Sequence, residues 1–382
     1  MKILTEVCSI PTAPFAEQNV VAYVERFVAA RPKLKLSRDR AGNLLIELRP
    51  QKKTNQPRWI FAAHMDHPGF VADRMLDDRT LAAHFRGWVH IDYVKGTKVR
   101  FFNPDGTELA GVVTEATSST HDRLTVPDRV VVRLRHRGSV EIGSPGMFDQ
   151  GAGRIKGNTF FSRGIDDQGG VAAALAMLDE LHKKPPTAPV AVLLTRAEED
   201  GFVGAVAAVL EPRLLKKSDR LIAIECSAMQ PYAPQGKGVI IRVGDKTSIF
   251  NSALTYFLTQ QAEALAKRNK NFQFQRALMP GGTCEATVYD AYGYTAAAVC
   301  IALGNYHNMD REKKRIAAEY IDIGDWKTMT RFFIHLARTG HTFSADNSAL
   351  RKRVTRRYAK LKHLLIASVR DRHPQKGRSR TL

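Results

Sequence analysis

The stretch Trp59-Ile60-Phe61-Ala62-Ala63-His64-Met65-Asp66 decides the fold class. Five apolar residues in a row read as a strand buried on both faces, the kind found in sheets covered by helices. The run then stops on an imidazole, with a carboxylate two residues later. The same pattern recurs along the chain. Asp166 opens the turn Asp166-Asp167-Gln168-Gly169-Gly170, and the apolar run 190–194 leads to Glu198-Glu199. The run 221–224 ends on Glu225, and 299–303 precedes His307. Ligands of open α/β sheets collect at the carboxyl ends of strands, so these residues are expected to meet in one crevice. Two imidazoles and three or four carboxylates suit a pair of divalent ions that activates water. The pattern is that of a hydrolase.

Between these runs the chain alternates. Helical spacing marks residues 17–30, 170–182, 204–210, 252–269 and 323–337. Strands are expected at 44–48, 59–63, 190–194, 221–224 and 296–301. From about 70 to 161 the texture changes to short β-rich runs (98–102, 111–114, 129–134) separated by turns such as Asn103-Pro104-Asp105-Gly106. The expected architecture is α/β, a mixed central sheet with helices on both faces, plus an inserted small all-β domain. Residues 1–69 and 162–345 form the catalytic domain, 70–161 a β-barrel-like insertion, and 346–382 a basic helix and tail.

The chain has 382 residues and a net charge of +20, with 44% hydrophobic and 25% charged residues. That is an ordinary soluble composition, with no run of the roughly 18 apolar residues that a membrane span needs. The opening residues do not read as a secretory signal. Cys8, Cys226, Cys284 and Cys300 lack metal-finger spacing and are expected to be reduced thiols of a cytoplasmic protein. Twelve Lys/Arg against Asp371 alone fall within 351–382, about half of the excess charge. There Leu350, Val354, Tyr358, Leu361, Leu365 and Val369 make one apolar stripe on a basic helix. His373-Pro374 is expected to end it, leaving 375–382 disordered. The helix is either an anchor for RNA, DNA or an acidic surface, or a solvated helix packed on the body by its stripe.

Several strings together resemble the tetrahedral, glutamyl-aminopeptidase-type family of dinuclear metallopeptidases. They are Leu4-Thr5-Glu6-Val7-Cys8-Ser9-Ile10-Pro11 and on through Glu17, Asp39-Arg40-Ala41-Gly42-Asn43-Leu44, Ala63-His64-Met65-Asp66, the Asp-Asp turn, the Glu-Glu pair, Pro280-Gly281-Gly282-Thr283 and Tyr306-His307. The related carboxypeptidase and dipeptidase family inserts a larger domain between the last two ligands. Here about one hundred residues separate His64 from Asp166, and about eighty separate Glu225 from His307. The insertion therefore favours the aminopeptidases.

The resemblance implies an aminopeptidase acting on short peptides with two divalent ions, zinc first and cobalt or manganese next. Asp166 would bridge them, with His64 and Glu225 on one and Glu199 and His307 on the other. Asp66 would accept the second N–H of His64, and Glu198 would be the general base for a metal-bridged water. A cis peptide after Asp166 and a homo-oligomeric assembly are implied as well. A deacylase or dipeptidase on the same scaffold, and a non-catalytic protein binding nucleic acid through its tail, are the alternatives. The chain departs from the family at His67, Glu225, Cys284-Glu285 and Asn305, none of which removes a ligand. His67, His84, His90 and Asp77-Asp78 read as structural or surface residues, and Gly281-Gly282-Thr283 as either a tight turn or a wall of the substrate site.

Overall fold

The computed structural model describes residues 1–50, 55–121, 124–346 and 348–370. The described residues fall into two compact units, Met1–Thr342 and a C-terminal unit from Phe343.

The first unit opens with helices α1 (Lys2–Val7) and α2 (Gln18–Ala29), then strands β1 (Leu34–Arg38), β2 (Leu44–Leu48) and β3 (Trp59–His64). Next come β4 (Gly69–Met75), β5 (Thr80–Arg86), β6 (Lys98–Phe102), β7 (Glu108–His121), β8 (Leu124–Leu134) and β9 (Pro145–Phe148). The short strands β10 (Arg154–Lys156) and β11 (Thr159–Ser162) lead to α3 (Gln168–Leu181), β12 (Val190–Thr195) and α4 (Val203–Leu210). After these lie β13 (Arg220–Ala228), β14 (Val239–Gly244), α5 (Ser252–Arg268), β15 (Phe274–Leu278), α6 (Glu285–Ala291) and β16 (Thr295–Leu303). The hairpin β17 (Met309–Asp310) and β18 (Arg315–Ile316), then β19 (Glu319–Asp322) and α7 (Ile323–Thr339), complete it.

Eight strands form one mixed sheet in the order β1-β2-β12-β3-β13-β16-β14-β15. Its centre, β12-β3-β13-β16, is parallel, so four carboxyl ends leave along one edge. The chain enters at β3, moves to β12 on one side, and returns past it to β13 on the other. That reversal is the switch point where α/β sheets open a crevice. Successive side chains of β3 point to opposite faces. Ile60 and Ala62 pack with Ala205 and Ala208 of α4, while Phe61 meets Phe333 of α7 at 5.2 Å between ring centres. Both faces are thus covered, which is why the strand reads as a continuous apolar run.

Strands β4 to β9 close a barrel in the order β4-β5-β8-β7-β6-β9. Phe70 lies at its centre, edge-on to Phe85 and Phe148 at 5.2 and 5.3 Å. Each such buried ring contributes about 1.5–3 kcal/mol by burial. Strands β7 and β8 run well beyond the segments 111–114 and 129–134, because their polar outer residues hide the alternation. Ser162 of β11 pairs with Glu319 of β19, a register that reappears at the site.

All four cysteines are free and buried. The C-terminal unit contains helix α8 (Ser348–Arg370). Its residues Val354, Tyr358, Leu361 and Leu365 are exposed by 63, 57, 37 and 62%. The expected stop at His373-Pro374 and the segment 375–382 lie outside the described residues. No described helix is long and apolar enough to cross a membrane.

Candidate metal centre

His64 is the last residue of β3 and stands level with Thr195 of β12. Glu198 and Glu199 follow β12 by a short turn. Glu225 lies within β13 beside Cys300 of β16, and His307 follows β16. Asp166 arrives from the opposite direction, on the loop between β11 and α3. All six are buried.

Their polar atoms form two groups, His64 with Glu198 and Glu225, and Asp166 with Glu199 and His307, each within 4.8 Å. The two carboxylate oxygens of Asp166 face different imidazoles. Oδ1 is 3.8 Å from His64 Nε2, and Oδ2 is 3.7 Å from His307 Nε2. Glu199 Oε2 approaches His307 Nε2 to 3.2 Å, and Glu198 Oε2 lies 3.8 Å from His64 Nε2. Both rings use Nδ1 on a backbone carbonyl. His307 Nδ1 donates to Trp88 O at 2.6 Å, and His64 Nδ1 lies 3.2 Å from Asp66 O. With Nδ1 engaged, Nε2 is the nitrogen of each ring that faces the carboxylates.

Asp66 stands beside the imidazole and holds the next turn as well. Its carboxylate is 3.6 Å from His64 Nδ1, and its own carbonyl 3.2 Å. The carboxylate also accepts the N–H groups of Glu198 and Glu199, both at 3.0 Å. Asp66 therefore fixes the Glu-Glu turn next to the imidazole.

Three further carboxylates support the centre through backbone N–H groups, and only Glu17 of them falls in a string that resembles the family. Glu319 is fully buried, and its Oε2 accepts from the N–H groups of Ile165 (2.6 Å) and Asp166 (3.2 Å). Its Oε1 accepts from His307 N–H at 2.9 Å. The pairing of Ser162 with Glu319 puts it there. Glu17 accepts from Ala197 N–H at 2.9 Å and pairs with Arg196 at 2.7 Å. It holds Ala197 at φ 50°, a left-handed conformation that costs a non-glycine residue about 1–3 kcal/mol. Asp245 accepts from Cys284 N–H and the Thr287 hydroxyl, and Lys246 N–H donates to Gly282 O. These bonds tie down Gly281-Gly282-Thr283.

His67 is buried, not a surface residue. Its ring nitrogens reach Asp166 O at 2.6 Å and Asn308 Oδ1 at 3.0 Å. The peptide Asp166–Asp167 is cis. A Cβ on Gly169 would meet Cys226 Sγ at 3.0 Å, and one on Gly170 would overlap the Asp167 carboxylate at 2.2 Å. Both glycines are there because the backbone comes too close for a side chain.

So many buried acids perturb one another. Burial raises Asp166 well above the usual carboxylate range, Glu199 adding to it and His64 opposing. Burial raises Glu198 likewise, against His64 and with help from Glu225. Burial would lower the imidazole of His64, but the surrounding carboxylates of Glu198 and Asp66 push it well above its ordinary value. Glu199 is lowered, since His307 outweighs the effect of burial. Asp166 Oδ1, Glu199 Oε1, Glu225 Oε1 and His307 Nε2 are buried without a hydrogen-bond partner. Buried charges of this kind are paired or coordinate metals, and this mixed N/O donor set fits divalent cations.

The cleft over these groups has a volume of about 260 Å³ and is also lined by Trp88, Phe202, Lys246, Thr283, Tyr306 and Arg311.

Residues 42–322 match the model of the M42 glutamyl aminopeptidase family. The fold is similar to that of the TET1 peptidase of Pyrococcus horikoshii, at TM-score 0.71 and 21% identity, covering 88% of this chain and 98% of that one. It is similar to an aminopeptidase of the archaeon Desulfurococcus kamchatkensis at TM-score 0.71, 19% identity and coverages of 88% and 94%. A TET aminopeptidase from a Thaumarchaeota archaeon gives 0.71, 16%, 88% and 96%. No curated protein matches the chain.

Proposed function

The chain belongs to the M42 glutamyl aminopeptidase family and is a metal-dependent aminopeptidase, and we propose that it removes N-terminal residues from short peptides with two divalent ions. One ion would be held by His64, Glu225 and one oxygen of Asp166, the other by Glu199, His307 and the second oxygen of Asp166. The observation that carries this reading is the division of the Asp166 carboxylate between two imidazoles, at 3.8 and 3.7 Å. When bound, such ions polarise the scissile carbonyl and bring the pKa of water towards neutrality.

The chain supplies the remainder. Glu198 takes a proton from the attacking water and returns it to the leaving amine. Its backbone is fixed by Asp66, so the carboxylate is presented from one direction. Glu319 fixes the backbone of Asp166 and His307 together, linking the bridging ligand to the far imidazole. Gly281-Gly282-Thr283, pinned through Asp245, is a wall against which an extended substrate lies. Zinc is the first candidate for the ions, followed by cobalt and manganese.

We assign residues 70–161 to an inserted barrel module and 1–69 with 162–345 to the catalytic domain. A crystal of the structurally similar TET1 is described as a dodecamer, and we infer a homo-oligomer in the cytoplasm here. Contact between the basic helix and an acidic surface completes the proposal.

The test is hydrolysis of aminoacyl-anilides, short peptides and their N-blocked counterparts by metal-stripped protein, with zinc, cobalt or manganese returned. Glu198→Gln is measured in parallel. As general base, Glu198 can be replaced with loss of turnover and retention of both ions. Loss of an ion in that variant would make Glu198 a ligand, and turnover of blocked substrates alone would replace the aminopeptidase reading by a deacylase.

A further inference from the structure

Among the described residues, Arg242 is a strongly buried cation near the site that the proposed reaction leaves without a part. It lies in β14, is 3% exposed, and makes no ion pair with any described residue. Its one hydrogen bond among the described residues runs from Nη1 to Ser227 Oγ at 3.2 Å, and its Nε is buried without a partner. The group stands 5.9 Å from the centre of the Phe250 ring and in the field of the Glu225 and Asp245 carboxylates, but a buried guanidinium without a direct ion pair is costly, so its placement needs a reason.

The sheet register gives its position. Ile240 pairs with Cys300, and Cys300 with Glu225. Arg242 follows Ile240 by two residues on an antiparallel strand and so lies opposite Ala298, level with Ala223 of β13, while Ser227 follows Glu225 by two; all of these share one face of the sheet. The backbone of Arg242 thus stands one same-face step from Glu225 towards the amino end of β13, and its guanidinium spans the level of Glu225 to reach Ser227. Arg242 and Glu225 also line the same side cavity of about 20 Å³, which shares Gly281, Gly282 and Tyr306 with the metal cleft. The opposite side of the centre has the reverse backing, with the Glu319 carboxylate on the backbone of Asp166 and His307.

We propose that Arg242 is a positioning residue that makes the two ion sites unequal. A fixed positive charge behind Glu225 opposes a cation at the His64–Glu225 side. A fixed negative charge behind His307 favours one at the Asp166–Glu199–His307 side. The second of these fills first and holds its ion more tightly, and the first exchanges. This rests on the two-ion reading above.

Calorimetric titration of the metal-stripped full chain with zinc or cobalt tests it. Wild type takes two ions in unequal steps. Arg242→Met tightens the weaker step by at least about tenfold and leaves the tighter one unchanged, while Arg242→Lys keeps the wild-type pattern. A purely structural role would weaken binding in both variants. Equal constants in Arg242→Met and wild type, or a lysine variant that behaves like methionine, would overturn the proposal. Glu225→Gln, with Arg242 in place, should remove only the weaker step, and removal of the tighter one overturns the assignment even if the methionine variant does not fold. Uptake of a single ion by wild type would instead refute the two-ion reading itself.

Discussion

Replacing Glu319 by glutamine separates support from ligation, because Glu319 itself faces no ion. The carboxylate takes three N–H groups, two on Oε2 and one on Oε1. A glutamine amide has one acceptor oxygen. Turned to keep Ile165 and Asp166, it points its NH2 at the N–H of His307, donor against donor. A buried donor left without an acceptor costs about 1–3 kcal/mol, so Glu319→Gln should lose that much stability. Glu319→Ala orphans all three donors and loses about three times as much, a large share of a total of ~5–15 kcal/mol. Urea unfolding of metal-stripped protein reads the first number, and zinc titration reads its location. The glutamine variant should bind one ion more weakly, the one His307 serves, and the other as before. A variant within 0.5 kcal/mol of wild type, with both ions bound normally, would refute this account of Glu319.

Burial raises the Glu285 carboxyl to about 7 from 4.5. Its protonated form is favoured by folding, so its contribution is full below pH 4.5 and lost as pH rises to 7. The loss is about 3 kcal/mol, and the stability gap between Glu285→Gln and wild type should grow across that window and then level off. Asp245→Ala should free the Gly281–Gly282–Thr283 wall, raising KM several-fold with a smaller effect on kcat, as steady-state kinetics on a dipeptide series would show. A chain ending at Asp346 should keep its kcat/KM yet leave a heparin column at markedly lower salt than the full chain. Equal elution would remove the acidic-surface role of α8.

The residues of the proposed metal centre were legible because all but Asp166 end or follow an apolar run, and a parallel sheet turns four such ends into one edge. Asp166 was legible through a turn, and the β-rich stretch through a change of texture. Glu319 and Asp245 were not, since each acts by accepting backbone N–H groups from segments far away in sequence. Any acceptor at the right place would serve, so no residue pattern marks them. Asp66 shows how far spacing alone goes. Its closeness to His64 was legible, but its hold on the Glu-Glu backbone was not, since that depends on where β12 ends. His67 read as a structural or surface residue, and its two ring nitrogens join the Asp166 carbonyl to Asn308.

The carbonyl of Trp88 has a wider consequence. It belongs to the loop that leaves β5 of the barrel, yet it holds Nδ1 of His307 at 2.6 Å and so decides which nitrogen of that ring is free. The barrel is thus part of the chemistry as well as a cover for it. Anyone trimming this enzyme to its smallest working form could not simply splice β3 to α3, because the excised piece carries the atom that orients the His307 ring.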